Sequence, residues 1–180
     1  MTKDASWELL ERKKVYNSKF LSVYEDRVKL PRGEILDNYT VVRKPNIVIV
    51  VATDQDNNII TLREYKHAQD KILRVLPAGQ MRDGESAVET AKRELLEETG
   101  YGGGSFKELG VIYDYPTKDL HKVYIVRAEK VREKSKVRHE NSESININVI
   151  AVHKLRKEIK NGDWQVASAI ASLVISGILF

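Results

Sequence analysis

The chain has 180 residues, 42% of them hydrophobic and 31% charged, enough to bury one core of ordinary domain size. It contains no cysteine, which excludes a disulfide framework, a thiolate metal site and a cysteine nucleophile. A net charge of +4 and a pI near 9.1 suit an anionic ligand. No Lys/Arg block with interleaved aromatics occurs, however, so no nucleic-acid partner is expected.

The opening MTKDASWELLERKK has no apolar run of the secretory kind. WELLERKKVYN (7–17), FLSVYEDRVKL (20–30) and EILDNYTVVRK (34–44) read as three strands, the last two joined by the turn at Pro31-Arg32-Gly33. Charged residues run through all three, so one face is expected to be wet. A sheet this thin is expected to pack on a neighbour. Residues 1–44 therefore form an N-terminal β-strand appendage and 45–180 the main domain.

Ile47 to Ala52 is a fully apolar run that predicts a strand buried on both faces. Ile59 to Tyr65 is expected to pair with it across the turn at 54–58. Ile72 to Leu76 is a short strand leading into Pro77-Ala78-Gly79. A helix follows over Ser86 to Thr99, stopped by Gly100. Phe106 to Tyr115 and Leu120 to Ala128 are two further strands, and the polar segment 129–144 reads as a long solvated loop, a candidate lid. Ile145 to Val152 is the last strand, Lys154 to Lys160 a helix, and Gln165 onward the final helix. Serines at 168, 172 and 176 make a polar stripe on that helix, and its uncharged run, 166–180, falls short of the ~20 residues a membrane span needs. No membrane association and a cytoplasmic location are expected. The irregular alternation of elements favours an α/β fold with a mixed sheet between helices.

The chemistry is concentrated in GQMRDGESAVETAKRELLEETGY, 79–101. On a helix, Glu94, Glu97 and Glu98 fall within an arc of about 100°, while Val88, Leu95 and Leu96 point elsewhere, toward the sheet. Like charges three and four apart cost roughly 0.2–0.5 kcal/mol per pair. A hard divalent cation would turn that cost into binding, since Mg²⁺ takes carboxylates, waters and phosphate oxygens. Arg93 can hold a carboxylate through a bidentate fork. These residues alone also fit a solvated, glutamate-rich helix face.

The spacing is more specific. Gly79, Glu85, Arg93, Glu94, Glu97, Glu98 and Gly100 resemble the Nudix box at seven fixed positions, with Leu95 where an apolar residue is wanted and Tyr101 where an aliphatic one is usual. A chance match anywhere in the chain is of order one in a million. The resemblance implies an α/β/α sandwich with a mixed sheet, and Mg²⁺- or Mn²⁺-dependent hydrolysis of a nucleoside diphosphate linked to another group. It implies Glu94 and Glu98 as metal ligands, Glu97 as ligand or water activator, and Arg93 as the residue orienting them. Glu85 would be an accessory ligand or support, and the Ala78 carbonyl a further metal contact.

LREYKH (62–67), RVLPAG (74–79), the N-terminal strands and Pro116, sixteen residues beyond Gly100, resemble the ADP-ribose and nucleoside-diphosphate-sugar pyrophosphatase branch. That branch implies a domain-swapped homodimer and a loop glutamate acting on the water, Glu143 first and Glu140 second. Substrate would be held by Arg63, Lys66, Tyr65, Pro116 and Asp119, with Trp7, Tyr24 and Tyr39 as further stacking candidates. His121 and His139 are expected to be surface or core residues rather than bases. The chain departs from the branch at Val75, where Glu is usual, and at Glu64-Tyr65-Lys66, where Gln-Tyr-X-Arg chemistry is usual. It departs again after Pro116, where Asp119 stands alone. Nucleoside triphosphate or dinucleotide hydrolysis and a non-catalytic sensor module are the alternative functions.

Overall fold

A computed structural model describes residues 6–135, 137 and 145–179. The chain divides into two compact units, 1–45 with 113–122, and 46–112 with 123–180. In the first, β1 (Glu8–Asn17), β2 (Ser22–Lys29) and β3 (Ile35–Arg43) form an antiparallel sheet in chain order. Tyr24, Val28 and Val41 are its buried apolar residues. Asp26, also buried, is held by Arg12 through two parallel bonds of 2.7 and 2.6 Å, which satisfies a carboxylate that could not otherwise leave water. Every residue of β1 is exposed.

The second unit is built on β4 (Ile47–Ala52), which has neighbours on both edges. It pairs antiparallel with β7 (Ala78–Gln80) and parallel with β10 (Val123–Glu129), and β10 pairs in turn with β9 (Ser105–Ile112). A second sheet has the order β12 (Ile145–Ala151), β5 (Asn58–Lys66), β6 (Lys71–Val75). The expected β4–β5 hairpin does not form. Only Thr53 bridges Ile59, because both edges of β4 are occupied and β5 is taken up by β6 and β12.

Strand alternation then sorts the core. Ile49, Val51, Val123 and Ile125 face one cluster with Leu155 of α2 (Val152–Lys160) and Leu173 of α3 (Ala167–Ile175). Val48, Val50, Ala52, Val126 and Ala128 face the other, with Ala87, Ala91 and Leu95 of α1 (Ala87–Thr99). Helices thus cover both faces of β4 and β10, and the fold class is mixed α/β, as expected.

Two local expectations change. The strands predicted over 106–115 and 120–128 are shorter, and 113–122 between them belongs to the first unit. The segment after β10 is not all solvated loop. Val131 is buried in the α1 cluster, and β11 (Arg132–Glu133) pairs with β8 (Tyr101–Gly102). In α3 the serine stripe is the inward side: Ser172 and Ser176 are buried and their hydroxyls donate to Ser168 O and Leu173 O at 2.7 and 2.9 Å. Bonding to their own helix lets them sit inside, while Val174 and Ile175 are exposed. No described helix is long and apolar enough to cross a membrane.

Candidate active site

The site is organised by α1 and the strand that precedes it. Ser86 caps the helix in a reciprocal box: its Oγ accepts from the Glu89 N–H, and Glu89 Oε2 accepts from the Ser86 N–H at 2.8 Å. At the other end Gly100 adopts φ 73° and donates to Leu96 O. A Cβ at Gly100 would also overlap the Ser135 carbonyl oxygen, so both backbone conformation and space require glycine. The buried stripe is Ala87, Thr90, Ala91, Leu95 and Thr99. Of the predicted inward residues Leu95 is buried, Val88 is intermediate and Leu96 is exposed, because the helix packs through its smaller side chains.

Fixing this stripe inward presents Arg93 and four glutamates along one edge. Arg93 makes a fork to Glu85, Nε and Nη2 each 2.9 Å from a carboxylate oxygen. Its Nη1 donates to Glu94 at 2.6 Å and to Glu97 at 3.1 Å, and Nη2 also reaches Gln80 O at 3.0 Å. The like-charge crowding read from the sequence is therefore compensated in part by the helix's own arginine. Glu85 further accepts from the Arg82 N–H and the Thr90 hydroxyl. The Arg93 fork, with these bonds, lowers its pKa to about 2. Glu97 lies outermost, half exposed, with Arg82 3.7 Å away.

Glu98 stands apart from this arginine. It turns inward to β7, where the Ala78 N–H donates to its Oε2 at 3.0 Å. Burial pushes its pKa up to about 8; the Ala78 bond opposes the shift, the Glu94 and Glu64 charges add to it, and Lys66 opposes it. Gly79 lies against the Glu94 carboxylate so closely that a Cβ there would overlap it. Among the described residues no set of three or more His, Asp or Glu is already gathered as a metal cage. The donor chemistry nonetheless fits a hard divalent cation, because a partly buried carboxylate lies near two more with a single lysine to offset them.

Sequence reasoning missed Glu64. It is on β5 two residues before Lys66, and the two side chains pair at 2.6 Å. Period-two alternation was the available signal, since it places both on one face. The same alternation puts the exposed Arg63 and Tyr65 on the other face, where Tyr65 donates to Asp70 at 2.8 Å. Lys66 is thus brought to Glu98, and Arg63 and Tyr65 are not.

Pro116 and Asp119 lie in the first unit. There Asp119 pairs with Lys44 at 2.5 Å and stands 3.6 Å from His121, which is buried. Tyr39 meets Trp7 edge-on at 5.1 Å and carries Lys118 over its ring, whereas Tyr24 is a buried core residue. Glu140, Glu143 and His139 lie outside the described residues.

The NUDIX domain family model matches residues 42–170. The chain belongs to the Nudix family. A second model, the nucleoside diphosphate sugar hydrolase N-terminal domain, matches residues 7–42. The chain is 27% identical over 122 residues to an ADP-ribose pyrophosphatase of Bacillus subtilis (strain 168), covering 68% of this chain and 65% of that protein. It is 33% identical over 92 residues to a methanol dehydrogenase activator of Bacillus methanolicus, covering 51% and 49%. The matches thus span from about half to just under two thirds of these relatives. A crystal structure of an ADP compounds hydrolase shares the fold, with a TM-score of 0.82 at 22% identity, over 97% of this chain and 95% of that one. Within the Nudix box, the structure gathers Arg93, Glu85, Glu94 and Glu97 around one guanidinium and sets Glu98 inward against Ala78.

Proposed function

We propose that this chain hydrolyses the diphosphate bond of ADP-ribose or another nucleoside-diphosphate sugar, giving a nucleoside monophosphate and a sugar phosphate. The observation that carries the reading is Glu98, a partly buried carboxylate held by the Ala78 amide and set near Glu94 and Glu64, whereas Arg93 binds Glu94 and Glu97. Glu94, Glu98 and the Ala78 carbonyl would hold Mg²⁺ or Mn²⁺. The fork from Arg93 and the bonds from Arg82 and Thr90 occupy Glu85, which favours support over direct ligation. A bound divalent cation would polarise the diphosphate oxygens and offset their charge.

The chain's residues supply position and a proton acceptor. Arg93 fixes the carboxylates so that none must reorganise as charge develops. Lys66 offers an ammonium beside Glu98 for a phosphate oxygen or a sugar hydroxyl. A water oxygen bonds to phosphorus, the bridging P–O bond breaks, and the water proton passes to a carboxylate, for which Glu97, Glu143 and Glu140 are the candidates. Pro116, Asp119, Arg63 and Tyr65 remain proposed substrate contacts.

The N-terminal strands, residues 1–44 beside a hydrolase domain of 45–180, are proposed to mediate a homodimer. The exposed Leu9, Leu10, Val15, Tyr16, Phe20 and Ile35 support this, since such apolar surface marks an interaction face. A cytoplasmic location belongs to the same proposal. The test is release of a nucleoside monophosphate, resolved by chromatography, from ADP-ribose, GDP-mannose, UDP-glucose, NADH, diadenosine polyphosphates and dNTPs, each with Mg²⁺ and with Mn²⁺. Cleavage confined to dNTPs, or tight binding with no turnover, would refute the reading.

A further inference from the structure

A cavity of about 160 Å³ opens beside Glu98. It has room for one sugar ring. Its walls are mainly apolar, including Ile47, Val75 and Ala169, and its charged groups are Glu64, Lys66 and Glu98. Pockets of this kind take a ligand's carbon face on the walls and fix its orientation through a few polar groups.

Resting on the pyrophosphatase reading, we propose that Glu64 is the specificity-determining residue of this cavity and selects a neutral, hydroxyl-bearing ring as the group distal to the diphosphate. Lys66 Nζ holds one Glu64 oxygen at 2.6 Å. The second oxygen accepts from a ring hydroxyl, and the ammonium's remaining hydrogens donate to another. The pair therefore offers adjacent acceptor and donor with no net charge, which matches vicinal hydroxyls. An additional carboxylate on the ring would compete with Glu64 for the one ammonium of Lys66, inside a partly desolvated cavity where like charges repel. Val75 gives no charge to balance it.

The test uses matched pairs: UDP-glucose with UDP-glucuronate, and GDP-mannose with GDP-mannuronate. Binding and kcat/KM are measured on the full chain with Mg²⁺, for the wild type, Glu64→Gln and Glu64→Lys, each checked for an unchanged unfolding transition. The readout is the neutral-to-uronate ratio, which discounts any general effect on Glu98. The wild type is expected to prefer the neutral sugar at least tenfold in one pair. Glu64→Gln should bring that ratio near unity, and Glu64→Lys should invert it. A ratio unchanged within twofold in both variants, or no binding of either pair by the wild type, overturns the proposal. If nothing is cleaved but the binding ratio still follows residue 64, the pyrophosphatase reading falls and the cavity assignment stands.

Discussion

Glu98→Gln separates what this carboxylate does for chemistry from what it costs the fold. Burial raises the folded-state pKa from 4.5 to about 8. In the metal-free folded chain Glu98 therefore keeps its proton up to about pH 8, whereas the unfolded chain releases it near 4.5. The stability associated with that proton is fully present below the unfolded value and is lost as pH rises, by about 1.4 kcal/mol per unit until pH reaches about 8. Between about pH 6 and 8 the loss is about 2 kcal/mol. Glutamine has no proton to release and lacks this slope. Urea denaturation in EDTA at about pH 6, 7 and 8 should show the variant gaining about 2 kcal/mol relative to the wild type across the range. The same substitution should reduce hydrolysis more than a hundredfold, through loss of a charged ligand. Adding Mg²⁺ to the wild type at about pH 7 should release a proton, read with an indicator dye, and adding it to the variant should release fewer. A stability difference flat within about 0.5 kcal/mol over this range would refute the assignment of a buried, proton-holding carboxylate.

Gly79→Ala should cost little stability, because the group it displaces is the end of a flexible side chain, but should move the Glu94 carboxylate and reduce kcat at least tenfold. An unchanged kcat would show that Glu94 can be moved freely. Arg93→Lys should lose about 1.5–3 kcal/mol, since one ammonium cannot replace a fork to Glu85 and a shared bond to Glu94 and Glu97; chemical denaturation checks it. Gly100→Ala should destabilise by at least about 1–2 kcal/mol from the positive φ alone, more with the Ser135 clash, lowering the melting temperature. Ser86→Ala should cost about 1 kcal/mol from loss of the cap, with kcat retained.

The sequence carried what local chemistry determines. Ser86, Glu89 and Gly100 bound α1 because caps act over three or four residues. The box glutamates share an edge because 3.6 residues make a turn. The run 47–52 is buried on both faces because it contains nothing that needs water. Tertiary structure decided which neighbours each element met. β4 took β7 and β10 rather than β5, since strand pairing depends on which edges are already filled, and no local pattern records that. The serines of α3 went inward because their bonds to their own helix made burial tolerable, and the polar stripe in the sequence did not record which side it would take. The glutamates looked equivalent in sequence and were divided by packing: Glu85, Glu94 and Glu97 to Arg93, Glu98 to the Ala78 amide. Glu64 entered the site only through the placement of β5, because a charge's neighbours in space are set by the fold and its neighbours in sequence are not.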